Sequence, residues 1–376
     1  MLSSFAKHFE GVKEPRVNSH NQLHKLLDDI LLLTVIAVIC GADGWIDVEE
    51  FGKAKEEWLK GLLELPNGIP SHDTLGRVFA LLDKEELQRG FLTWIQSLVE
   101  TSKGEFIAID GKTLRRSYDK GGTKGAIHMV SAWAVKNQLV FGQLKTEEKS
   151  NEITAIPALL EKLNLQGCTV SIDAMGCQTN IADNIISGGG DYVLSLKGNQ
   201  GNLHEQVEEF FEIGQENEFD GVDYEHHQEI EKDHGRIEQR NYWLVPLPDY
   251  FEDISRWAGL KGIGCVRRQR EINEETSEEL AYYILSFDKD VKRFAHSARG
   301  HWGIENSLHW SLDVSFNEDQ SRIRQGNAAE NLAVIRHIAL NLIKKEKTAK
   351  TGITNKRKKA GWDNRYLEKI LAHAAT

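Results

Sequence analysis

Cysteine is scarce in this chain. It occurs four times in 376 residues, at Cys40, Cys168, Cys177 and Cys265. Four scattered thiols exclude a disulfide scaffold and a paired CxxC zinc site, and they read as buried and reduced in a cytoplasmic protein. Long apolar runs are also missing. The richest, ILLLTVIAVIC from Ile30 to Cys40, is far short of the about 20 residues that a membrane span needs, so it reads as a buried helix. The opening MLSSFAKHFEGVKEPR lacks the apolar core of a signal peptide. No phosphate-binding P-loop is complete, because Gly111-Lys112-Thr113 would need glycine where Phe106 stands, and no dinucleotide fingerprint is present. A plain metabolic nucleotide enzyme is therefore disfavoured. Net positive charge is absent too: 46 Lys+Arg face 57 Asp+Glu, a balance of −11. On its own that argues against nucleic acid as a partner, since phosphates require local positive charge.

The charge is unevenly placed, however. Twelve acids lie between Gly201 and Asp233 against the single Lys232, whereas the stretch from Asn341 to Thr376 carries ten basic residues and three acids. Length alone suggests two or three domains. Residues 1–100 read as helical. Asp47 with Glu50 suggests an N-terminal cap for a helix reaching Leu63; Ser71 caps His72 to Leu82, and Lys84 to Val99 has apolar residues at helical spacing. Short helices with tight turns suit a helix-turn-helix-like DNA-binding module or, equally, a packing domain. From residue 105 the pattern becomes strand–strand–strand–helix–strand–helix–strand, an α/β domain with a mixed sheet. Three further strand-like runs follow, Gln239 to Val245, Gly262 to Ile272 and Leu280 to Phe287, and then long helices from about Phe294 to Trp310 and Ala328 to Lys345.

Two aspartates end separate strands, Asp110 in FIAIDG and Asp173 in TVSIDA, each followed by a small residue that leaves room around the carboxylate. Carboxylates so placed suit Mg²⁺, which prefers hard oxygen ligands; strand-ending aspartates are also ordinary turn formers. On a regular helix His301, Glu305 and His309 share one face, beside Trp302 and Trp310. The tryptophans suit either core packing or stacking on a displaced base. Basic residues gather nearby: Lys112, Arg115 and Arg116 after Asp110, Lys197 after a strand, and Arg322 and Arg324 after the Glu305 helix. Together they would ring a carboxylate site with phosphate-binding groups. His226, His227 and His234 lack ordered metal-ligand spacing.

Five blocks, FIAIDGKTLRRS, TVSIDAMGCQTNIA, YVLSLKGNQGNL, HGRIEQRNYW and HWGIENSLHWSLDVSFNED, resemble in order and wording the insertion-sequence transposases of the H-repeat-associated type, over about Leu26 to Lys345. Such proteins look like DDE transposases. The resemblance implies an α/β fold: an RNase H-like mixed-sheet catalytic core at 101–347, interrupted by a largely β insertion at 201–287. It further implies a helical DNA-end-binding domain at 1–100 and a basic C-terminal tail at 348–376.

It also implies that Asp110, Asp173 and Glu305 are the catalytic triad holding two Mg²⁺, with Mn²⁺ as a substitute. The partners would be double-stranded DNA, both terminal inverted repeats and target, with a homodimer forming on the DNA of the nucleoid and no membrane association. The related Tyr, Arg, Glu and Lys signature is broken, because Ala298, His301 and Leu312 stand at the expected Tyr, Arg and Lys positions. The supporting cation would then be His301, His309 or Arg299. The acidic Gly201 to Asp233 surface should face away from phosphates. Competing readings are a domesticated RNase H-like nuclease and a non-catalytic DNA-binding protein.

Overall fold

A computed structural model describes residues 2–17, 22–98, 104–114, 127–146, 152–233, 236–272 and 275–374. Nine strands form one sheet: β1 (Phe106–Leu114), β2 (Ile127–Ala134), β3 (Leu139–Thr146), β4 (Thr169–Ile172), β5 (Asp191–Leu196), β6 (Glu225–Asp233), β7 (Arg236–Pro246), β8 (Gly262–Ile272) and β9 (Glu275–Leu285). Their order is β3-β2-β1-β4-β5-β9-β8-β7-β6. The first three pair antiparallel and β1, β4 and β5 run parallel. That half has the mixed α/β arrangement expected of an RNase H-like core. All four residues of β4 are buried, Thr169 and Ser171 as well as Val170 and Ile172, as in a strand covered on both faces.

The later strands extend the same sheet, with β9 pairing antiparallel to β5 at Val193 and Leu285. β6, the outermost strand, lies in the acidic run, where the sequence pattern predicts no strand. Its alternation of His, Glu and Lys carries little apolar signal, and the strand is instead held by cross-strand pairs such as Glu231 with Arg240 of β7.

The helical ends of the chain share one core with the sheet. The apolar run forms a π-helical stretch, Leu26–Leu32, continuing into the helix Leu33–Ile39, and packs on the helix Ala328–Lys345. That helix is buried on every side from Ala328 to Ile343. A helix so enclosed must satisfy its polar side chains internally. Asn331 donates to the Phe79 and Leu82 carbonyls, and Asn341 exchanges two hydrogen bonds with the Val140 backbone beside a bulge in β3.

Two local expectations differ from what is found. Asp47 is not an N-cap; its carboxylate accepts from the Gly44 N–H at 2.9 Å, so the helix starts earlier, at Trp45–Ala54, and breaks at Lys55. Ser71 does cap His72–Leu81, accepting from the Thr74 N–H. Residues 348–376, expected as a basic tail, contain two packed helices, Ile353–Trp362 and Asn364–Ala372. Arg357 is buried there and donates to the carbonyls of Val38 and Ala42.

Candidate active site

The β1–β4 register pairs Ile107 with Val170 and Ile109 with Ile172, so Asp110 and Asp173 emerge side by side where that pairing stops; β4 ends there, but β1 does not end at Asp110 as expected and runs on to Leu114 against β2. Beyond β4 the chain turns into a 3₁₀ turn, Ala174–Gly176, which Asp173 caps by accepting from the N–H groups of Met175 and Gly176 at 3.1 and 3.2 Å. The third acid arrives from the other end of the chain. The helix Val291–Gly303 packs across β1 and β4, then widens into a π-helical segment, Ile304–His309, before the helix Trp310–Phe316. Widening to i→i+5 bonding breaks the regular spacing assumed for His301, Glu305 and His309.

Asp110, Asp173 and Glu305 line one open cleft of about 690 Å³, with Gly111, Thr113, His128, Glu152, Asn306, His309 and Asp313 also in its wall. Burial pushes the Asp110 carboxyl up to about 7; the Gly111 N–H it accepts at 2.8 Å opposes this, and the charges of Asp173, Glu305 and Glu152 add to it. His309 Nδ1 stands 3.6 Å from Asp110, but burial and the Lys112 charge lower it to about 3. His301, beside Asp173 and bonded to the Ser171 backbone, is also lowered by burial. Both imidazoles are therefore neutral near pH 7, so neither is the supporting cation that the sequence suggested. Arg299 does not supply it either, because its guanidinium is bound by Glu229 and Glu231 of β6.

The basic residues expected to ring the site go to different places. Lys112 stays in the wall of the carboxylate cleft, its ammonium bound by Asp313 and by the buried Glu318, 2.8 Å away. Burying an ammonium needs such partners, and they take it from any phosphate. Arg322 and Arg324 line a separate cleft with Trp45, His72 and Arg77. Lys197 is exposed after β5, on a loop tied to the Asp173 turn by Asn199, whose amide donates to the Ala174 carbonyl at 2.8 Å. Arg115 and Arg116 lie outside the described residues. Core packing fails for the tryptophans: Trp302 is 44% exposed and Trp310 58%.

Sequence reasoning missed His128 and Glu152. His128 Nε2 meets the Glu152 carboxylate, both side chains buried, with Thr113 Oγ1 2.9 Å from His128 Nδ1, and a Cβ on Gly111 would strike both partners. Only the β1–β2 register, which sets Thr113 opposite His128, signals that pair. Glu152 opens the helix Glu152–Leu160.

The donor set suits a hard divalent cation, because carboxylates crowded into one cleft repel one another until a cation compensates them. Among the described residues no three acidic, histidine or cysteine groups are drawn up around one point. Asp173 engages its own backbone through Oδ1.

Two family models match the chain. One, described as "DDE_Tnp_1-associated", covers residues 6–95, and the other, "Transposase DDE domain", covers residues 101–342. The chain belongs to the DDE transposase family. It is 47% identical over 362 residues to a protein named "Putative transposase YncI" of Escherichia coli O157:H7, covering 95% of this chain and 92% of that one. It is 44% identical over 354 residues to "H repeat-associated putative transposase YhhI" of Escherichia coli strain K12, with 93% of each covered. A solved piggyBac transposase synaptic complex with hairpin DNA overlays at TM-score 0.43 and 11% identity, over 99% of this chain and 76% of that one. Among the described residues of this transposase-family chain, no helix is long and apolar enough to cross a membrane.

Proposed function

We propose that the chain is a DNA transposase that cuts at the ends of its mobile element and joins the freed 3′-hydroxyl to target DNA, dependent on Mg²⁺ or, in substitution, Mn²⁺. The observation that carries this reading is the meeting of Asp110, Asp173 and Glu305 in one cleft of a DDE-family chain. These three carboxylates would hold the ions. Such ions lower the pKa of an attacking water or hydroxyl and stabilise the leaving oxygen of an in-line displacement.

The chain's own residues do the rest. Neutral His301 and His309 add no positive charge that would compete for the carboxylates. The buried Lys112–Glu318 pair anchors β1 just past Asp110. Exposed Lys197 would contact the backbone of a DNA strand approaching the cleft. One site serves hydrolysis and strand transfer because both are attacks of an oxygen on a phosphodiester, with no covalent protein intermediate. Duplex ends would be paired by a homodimer on the nucleoid.

End cleavage is the test, using a duplex carrying the inverted repeats that flank the gene. Asp110→Ala, Asp173→Ala and Glu305→Ala variants that fold and bind this DNA should lose Mg²⁺-dependent cleavage by at least about 10²-fold, the scale of removing an interaction made only in the transition state. Wild-type-like cleavage by any one of them refutes the triad. Incubating pre-cut ends with a target plasmid separates a transposase from a nuclease, since only the former gives joined products. Binding without cleavage would point to a domesticated DNA-binding protein.

A further inference from the structure

A second cleft, of about 160 Å³, opens beside the first and shares Asn306 with it. Its walls are the outer halves of β7 and β8 and the end of the helix Val291–Gly303. Alternation along the strands sets Arg236, Glu238 and Arg240 of β7 on one face with Arg268 and Arg270 of β8. Arg240 is paired directly with Arg268, and Glu238 with Arg270. Like charges opposite one another destabilise a sheet, so this face needs an anion.

Glu238 is the internal one, 2% exposed. It lies 3.5 Å from Arg236, 3.6 Å from the Arg268 Nε and 3.7 Å from the Arg270 Nε, and it also bonds Arg240. One carboxylate has about four lone-pair sites, and four guanidiniums offer far more N–H groups than it can accept. The remainder shows: Arg268 Nε and Arg270 Nε are buried without a hydrogen-bond acceptor. Glu231 and Glu279 take up Arg240 and Arg268 at the solvent rim. Arg236 and Arg270 reach Glu238 only at 3.5 and 3.7 Å, and both are partly open to solvent. Trp302, on the helix, holds the Arg268 guanidinium flat at 4.7 Å from its ring.

We infer that this arginine cleft seats a phosphodiester of the DNA strand running into the carboxylate cleft, with Arg236 and Arg270 as its main contacts. A phosphate brings the acceptor oxygens that the buried arginine N–H groups lack, and guanidiniums grip it in bidentate pairs. The shared wall at Asn306 makes the two clefts one track, so a strand held here enters the carboxylates from the β7–β8 side. This inference rests on the proposed function, because it takes DNA as the ligand.

The experiment uses the full chain and a labelled inverted-repeat duplex, with affinity followed against salt concentration without divalent metal. Each phosphate contact on duplex DNA contributes about 0.9 to the slope of log affinity against log salt. The double variant Arg236→Gln with Arg270→Gln should lower the magnitude of that slope by about 0.9, the loss of one phosphate contact, and weaken binding at least about ten-fold. Glu238→Gln removes the competing anion and should act in the opposite direction, tightening binding of the duplex. Thermal melts check that each variant is folded; an unfolded Glu238→Gln leaves the double variant, at positions open to solvent, to decide. Wild-type binding with an unchanged slope in the double variant overturns the arginine track and leaves the proposed function intact. Failure of the wild type to bind DNA overturns both.

Discussion

Burial and neighbouring carboxylates hold the Asp110 carboxyl near neutrality, at about 7 against an ordinary 3.8. The unfolded chain gives up this proton near pH 4 and the folded chain near pH 7, so stability is lost as pH rises between them and stays low above. The full loss is about 4 kcal/mol at most, taking about 1.36 kcal/mol for each pH unit that separates the two values. Asp110→Asn removes it. In metal-free buffer that variant should melt higher than wild type at pH 8 and no higher at pH 4, and Mg²⁺ should stabilise wild type more than the variant. Equal melting temperatures at pH 8 would show that the carboxylate crowding carries no cost. The nearby Glu318 goes the other way: Lys112 and Arg336 outweigh its burial and hold it down to about 2. It contributes stability at neutral pH that is lost as pH falls from about 4.5 through 2, so the two titrations occupy separate windows.

At the scale of elements, the π-helical segment Ile304–His309 decides where Glu305 stands. A π turn is an α-helix with an inserted residue, and its removal rotates the downstream helix by about 100°. Deleting Ser307 should restore a regular helix and turn the helix Trp310–Phe316 against its neighbours. End cleavage should fall by about 10²-fold or more, the cost of misplacing a catalytic group by an ångström, with far-UV circular dichroism little changed. Retained cleavage would mean that the widening has no functional purpose. This segment marks a limit of the sequence reading. Strand-ending Asp173, the capped helix after Ser71 and the mixed sheet were legible, because apolar period and turn chemistry are local; the continuation of β1 past Asp110 to Leu114 was not, since GKTL carries little apolar signal. The helix that carries Glu305 was legible, but the π turn within it was not, since any amphipathic run reads as though it were regular. The partners of Lys112 and Arg299 were hidden for a different reason. They lie about 200 and 70 residues away in the chain, and pairing at such separations leaves no periodic trace.

For the molecule as a whole, the last residues matter more than their charge suggested. Arg357 donates to backbone carbonyls of Val38 and Ala42 and pairs with Asp43, and Tyr366 bonds the buried Glu346. Truncation after Glu346 would strip these groups and remove the apolar face of Tyr366, Leu367, Ile370 and Leu371 from its setting. We expect the shortened chain to aggregate or to lose its cooperative melt, whereas a truly dispensable tail would leave both unchanged. The acidic stretch likewise changes meaning. Glu229 and Glu231 are occupied by Arg240 and Arg299, so part of the −11 balance is neutralised within the fold and does not face solvent as free repulsion. The packing of the helix Leu33–Ile39 on Ala328–Lys345 also bears on the timing of synthesis. A ribosome adding about 5–20 residues per second emits the first of these helices tens of seconds before its partner exists. Throughout that interval ILLLTVIAVIC lacks the part of its cover that Ala328–Lys345 supplies, and the sheet cannot pair β5 with β9 until the chain has passed Leu285. The core shared by the two ends of the chain therefore closes only after Lys345 has been made.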